Sequence, residues 1–170
     1  RLLDSSDADY LIYTNVDIAL KPHFYLTVQK YIEQGLDAFV INRRTISNTY
    51  TKVDDLPLML AEKGLKHPGF DCFVFKRELY NDFFTAEACI GANWIGRVLI
   101  TNLFAQTPAF KVFDDEELTF HIGDDRSWKT RRFDDYNSFN EAELIKVLKY
   151  WKEKNTGFNE NWLNSFFNYH

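Results

Sequence analysis

Tyr10 to Lys21 reads YLIYTNVDIALK, and the way this stretch is read decides the fold. It opens on four consecutive apolar or aromatic residues, Tyr10, Leu11, Ile12 and Tyr13. The run is too short for a helix and no polar position breaks it. It predicts a strand buried on both faces, as in a parallel sheet covered by helices. Thr14, Asn15, Val16 and Asp17 follow, and Lys21-Pro22 then opens a helical pattern. A carboxylate just past the C-terminal end of a buried strand stands where open α/β sheets place their ligands. Locally, Asp17 has two readings: a ligand to a divalent cation bridging phosphate oxygens, or a cap for the next helix.

Moving outward, Phe24, Val28 and Ile32 recur at helical spacing and Gly35 is a natural stop. Residues 38–41 form a second apolar run, ended by Asn42-Arg43-Arg44. Strand, helix and strand predict a βαβ unit with a right-handed crossover. Residues 45–51 read as a loop, and Asp55 and Pro57 favour a short helix ended by Gly64. His67-Pro68-Gly69 is turn chemistry. A third strand over 70–75 follows, then a short helix from Arg77 or Glu78. A longer helix is predicted over 90–104, with Trp94, Ile95, Val98, Leu99 and Leu103 on one face. Two short strands, 110–113 and 118–122, flank an acidic turn, Asp114 to Glu117, expected to be exposed. A loop should cover 123–127. A helix entered at a capping box, Ser138 with Glu141, should carry Leu144, Ile145, Leu148 and Trp151. Another, from near Asn159, should carry Trp162, Leu163, Phe166 and Phe167. The expected fold is one α/β domain with a mostly parallel sheet covered by helices, residues 1–125 as its core and 126–170 as a helical closure.

Composition narrows the function. The 170 residues, 45% hydrophobic, suffice for one core of ordinary size. A net charge of −5 argues against a general nucleic-acid binder, which needs a basic face. No apolar run approaches the roughly 18 residues of a membrane span and no signal peptide is visible, so a cytoplasmic location is expected. Two cysteines, Cys72 and Cys89, are too few for a disulfide framework. Met59 is the only methionine, so Arg1 is expected to be internal to a longer chain.

TNVDI, at a strand end and before a Pro-initiated helix, resembles the Asp-x-Asp element of GT-A fold glycosyltransferases, with Asn15 in the place of the first acid. PGFDCFVFKRELY resembles that family's acceptor-facing segment, IGANWIGRVLI the helix bordering the donor sugar, and TFHIGD the late strand presenting a histidine to the metal. The resemblance runs from about Asp9 to Asp125 and rests on the order of the motifs. It implies a nucleotide-diphosphate-sugar donor, a divalent metal (Mn²⁺ or Mg²⁺) and transfer of the sugar to an acceptor hydroxyl. On it, Thr14, Asn15, Asp17 and Arg43 face the donor, and Asp17 and His121 hold the metal. His67, Gly69, Asn93 and Trp94 face the acceptor, and Asp71 or Glu87 takes its proton. By their own patterns Asp71 also suits a turn acid, His121 a histidine hydrogen-bonded at a strand end and Trp94 the core, and Arg43-Arg44 and Lys129, Arg131 and Arg132 also suit solvent. Only nine residues precede Tyr10, so the nucleoside-binding half is expected outside this chain, with an upstream segment or a dimer mate covering the open edge of the first strand.

Asn15 and Asn93, standing where the family has acids, keep an alternative open: a domain of this kind that binds sugar or glycan without transferring it. An α/β phosphotransferase with Asp17 as nucleophile would want a second acid two residues on, where this chain has Ala19.

Overall fold

The computed structural model describes residues 6–124, 134–155 and 157–169. The expected loop at 123–127 is therefore described only to Asp124. Lys129, Arg131 and Arg132 lie outside the described residues, as does the Trp162 side chain. The chain divides into two compact units, Arg1–Arg77 with Ala109–Asp125, and Glu78–Pro108 with Arg126–His170.

The first unit is α/β. Its elements are β1 (Tyr10–Thr14), β2 (Ala19–Leu20), α1 (Phe24–Glu33), β3 (Ala38–Ile41), β4 (Arg44–Ile46), α2 (Leu56–Ala61), β5 (Leu65–Lys66), β6 (Cys72–Lys76), β7 (Phe110–Phe113) and β8 (Thr119–Ile122). They build two four-stranded sheets, ordered β1-β6-β3-β7 and β2-β8-β4-β5. Neither is mostly parallel, which corrects the expectation. β6 runs antiparallel to both β1 and β3, and only β3–β7 is parallel in the first sheet. In the second, β4–β8 is parallel while β2–β8 and β4–β5 are antiparallel. An unbroken apolar strand signals burial on two faces, and a central antiparallel strand such as β6 satisfies that as well as a parallel one.

β1 is also not the buried strand its composition suggested. Among the described residues it forms an edge, paired to β6 alone, and Ile12 is 37% exposed. β3 and β6 occupy the centre, with every residue of β3 fully buried. α1 lays Phe24, Val28 and Tyr31, spaced by four and three residues, on Phe39, Ile41, Val74 and Phe113. Tyr31 stacks on Phe113 with ring centroids 4.1 Å apart. Burying a residue such as Phe24 contributes about 2–3 kcal/mol.

Three local expectations change. Residues 45 and 46, expected in a loop, belong to β4. Arg44 is buried, not solvated, and reaches Asp115 at 3.2 Å and Glu117 at 3.7 Å. The acidic turn is thus an ion-pairing element, and Asn42 adds a 2.6 Å hydrogen bond to Asp114.

The second unit is helical among its described residues: α3 (Ile95–Gln106), α4 (Asp134–Lys154) and α5 (Glu160–Tyr169), preceded by a 3-10 segment, Arg77–Asp82. Its core is Val98, Ala105, Leu144, Val147 and Trp151. α3 starts five residues later than the apolar spacing suggests, because Trp94 takes a left-handed backbone, φ 74°. α4 runs through the expected capping box, whose Ser138 lies a full turn inside the helix.

Candidate functional site

Register assembles the candidate site within the first unit. β6 opposes β1 and β3, so its N-terminal end meets their C-terminal ends, and Cys72 pairs with Thr14 on one side and Ile41 on the other. Asn15 and Asp71, one residue beyond those pairs, and Arg43, two beyond Ile41, gather at that end of the sheet. In the second sheet Ala19 pairs with Phe120 in antiparallel register. Stepping that register back sets Ile18 opposite His121, and Asp17, one residue earlier, reaches the imidazole although 104 positions separate the two.

His121 Nε2 lies 3.2 Å from Asp17 Oδ2, and its Nδ1 lies 2.7 Å from the Gly123 carbonyl. A carbonyl only accepts, so Nδ1 carries a hydrogen; Nε2 then meets a carboxylate oxygen either through a second hydrogen or across a shared cation. Two ligands at right angles on an octahedral cation with bonds of about 2.1 Å stand about 3 Å apart. The oxygen–nitrogen donor set and its spacing therefore fit a divalent ion, and the nitrogen fits Mn²⁺ better than Mg²⁺. The Asp17 side chain is 59% exposed, open to a ligand. Among the described residues no group of three or more His, Cys, Asp or Glu side chains converges as a metal centre, so these two would share the ion with oxygens from a ligand or water.

Asp71 is the buried charge of the site, 6% exposed. Its Oδ1 accepts the Asn15 amide hydrogen at 3.1 Å. Its Oδ2 is ion-paired with Arg43 Nη1 at 3.0 Å and lies 3.9 Å from His67 Nε2. Burial pushes the Asp71 carboxyl above its ordinary range; Arg43 opposes this, the Asp17 carboxylate adds to it, and His121 opposes it. Arg43 is itself buried, with Nη2 4.0 Å from Asp124. Its charge is directed at Asp71, an engagement its sequence position did not suggest.

Gly69 has a steric reason. A Cβ there would sit 2.5 Å from His67 Nε2, so the imidazole folds directly over the glycine toward Asp71. Thr14 stands opposite Cys72, and its hydroxyl is buried beside that thiol. Burial, then Asp71, pushes the thiol up to about 12 against the pull of Thr14.

Glu87, Asn93 and Trp94 belong to the second unit. The Glu87 backbone N–H donates to Glu143 at 3.1 Å, and the Glu87 side chain is exposed. Asn93 contributes its backbone, the carbonyl accepting from Asn140 at 2.8 Å. Trp94 lies under the Arg97 guanidinium, 4.8 Å from the ring centroid, and Arg97 also donates to the Phe167 carbonyl at 3.1 Å. The first unit thus unites Asn15, Asp17, Arg43, His67, Asp71 and His121, and the other three candidates are held separately within the second.

No helix among the described residues is long and apolar enough to cross a membrane. No protein-family model matches the chain, and no curated protein matches it.

Proposed function

We propose that the chain carries the metal-binding and acceptor-side part of a glycosyltransferase-like domain, which moves a sugar from a nucleotide-diphosphate donor to a hydroxyl. The observation that supports this reading most is the Asp17–His121 pair, an exposed carboxylate and an imidazole 3.2 Å apart at strand ends. A divalent ion held there would stabilise the charge that grows on the departing diphosphate. Asp71, next to that pair and raised above its usual range, suits the carboxylate that takes the acceptor proton. His67, packed on Gly69, would line the acceptor side. Two free thiols suit a reducing compartment, and we place the domain in the cytoplasm.

The test is a Mn²⁺ and Mg²⁺ titration of the chain, followed by an assay for nucleoside-diphosphate release from a panel of sugar nucleotides. Asp17→Ala should abolish binding of both ions, and His121→Ala should weaken Mn²⁺ markedly more than Mg²⁺. A parent chain that binds neither ion would remove the basis of the proposal. The second reading, sugar binding without transfer, draws on Asp71 having one oxygen bonded by Asn15 and the other beside Arg43. Metal-dependent binding of a sugar nucleotide with no diphosphate release would select it.

A further inference from the structure

The resemblance assigns Asn15 to the donor, but its amide is turned toward another residue. We infer that Asn15 is a positioning residue for Asp71: its amide holds one carboxylate oxygen while Arg43 pairs with the other, so that the carboxylate is fixed at the edge where the ligand would bind. The inference rests on the proposed reading of this edge as the ligand site.

Three observations lead to it. Asn15 follows Thr14, whose pairing with Cys72 brings it beside Asp71. Its Nδ2 donates to Oδ1 at 3.1 Å, fixing the rotation of the carboxylate. Oδ2 is buried and ion-paired with Arg43 Nη1 at 3.0 Å, so Asn15 and Arg43 grip the two oxygens from different segments. An acid at position 15 would set two carboxylates against each other with Asp17 nearby, which a buried acid resists. The residue type therefore matches the partner: an amide gives the hydrogen that a carboxylate cannot.

The test reads Asp71 directly in the 170-residue chain. The charged groups around it are Arg43 between β3 and β4, His67 in the preceding loop, Asp17 after β1 and His121 on β8. Carboxyl-carbon NMR should show the Asp71 midpoint moving up by about one pH unit in Asn15→Ala, and further in Asn15→Asp. In the parent, without any substitution, the Asn15 side-chain amide protons should titrate with the Asp71 midpoint. If those protons ignore Asp71, or if both variants fold and keep the parent midpoint, the inference is wrong. Mn²⁺ titration separates it from the proposed function. Retained Mn²⁺ binding in Asn15→Ala is expected, and a loss as large as that of Asp17→Ala would make Asn15 a metal ligand and overturn the positioning role alone. A parent that binds no Mn²⁺ would sink the proposed function, while the amide titration would still decide whether Asn15 holds Asp71.

Discussion

His67 rests on Gly69 so closely that the glycine fits the ring rather than a turn. The atom a new Cβ would strike is the tip of a side chain, which rotates away at little cost. Gly69→Ala should therefore leave the urea midpoint near the parent's while shifting the His67 ring resonances. A large loss of stability would instead make the backbone at 69 the constraint. Asp71 predicts a pH effect. Its folded midpoint is raised, so the folded chain holds the proton more tightly than the unfolded one. The stability this contributes is complete below the ordinary aspartate range and is lost as pH rises through the raised midpoint. Comparing parent with Asp71→Asn in urea between about pH 4 and pH 7 should show the parent alone losing that increment. Of these residues, Asp17 and His121 are brought together in the sequence only through the resemblance of TNVDI and TFHIGD to the family's metal-holding elements. Asn15 and Asp71 cannot be so paired, because their meeting depends on β6 entering between β1 and β3, and nothing local encodes that partner choice.

Among the elements, α3 and α4 are joined through a buried amide. Asn102 accepts from the Phe84 N–H at 2.7 Å and from Trp151 Nε1 at 3.0 Å, and donates to the carbonyls of Phe84 and Val98. Asn102→Ala strands two buried donors, and should cost about 2–4 kcal/mol in urea unfolding. A loss well under 1 kcal/mol would mean that water replaces the amide. Nothing in the sequence around Asn102 marks it, since a polar residue on a helix is ordinarily read as solvent-facing. The elements readable in advance are those with uniform composition, such as β3, whose four apolar residues match the observed strand to the residue. β4 escaped because Arg44 and Thr45 look like loop residues until the buried pairing of Arg44 with the acidic turn is seen. The start of α3 was misplaced because Ile90 and Trp94 keep helical spacing while the backbone at Trp94 does not.

For the molecule as a whole, β1 is the outer strand of its sheet among the described residues and carries an exposed Ile12. Edges of this kind invite pairing with another chain. Sedimentation should show self-association of the parent that Ile12→Lys reduces; equal behaviour of the two would place any association elsewhere. The first sheet also sets a timetable. β1 and β3 are made early, but the slot between them stays empty until residues 72–76 arrive, and β7 adds later still. Two apolar strands cannot close on each other without displacing the one that belongs between them. Every lasting contact of the sheet is therefore distant in sequence, the circumstance that slows folding. A nascent chain halted before Cys72 would hold two sticky strands of the first sheet without the one that pairs them, and a helper that shields them during synthesis would raise the yield of folded protein.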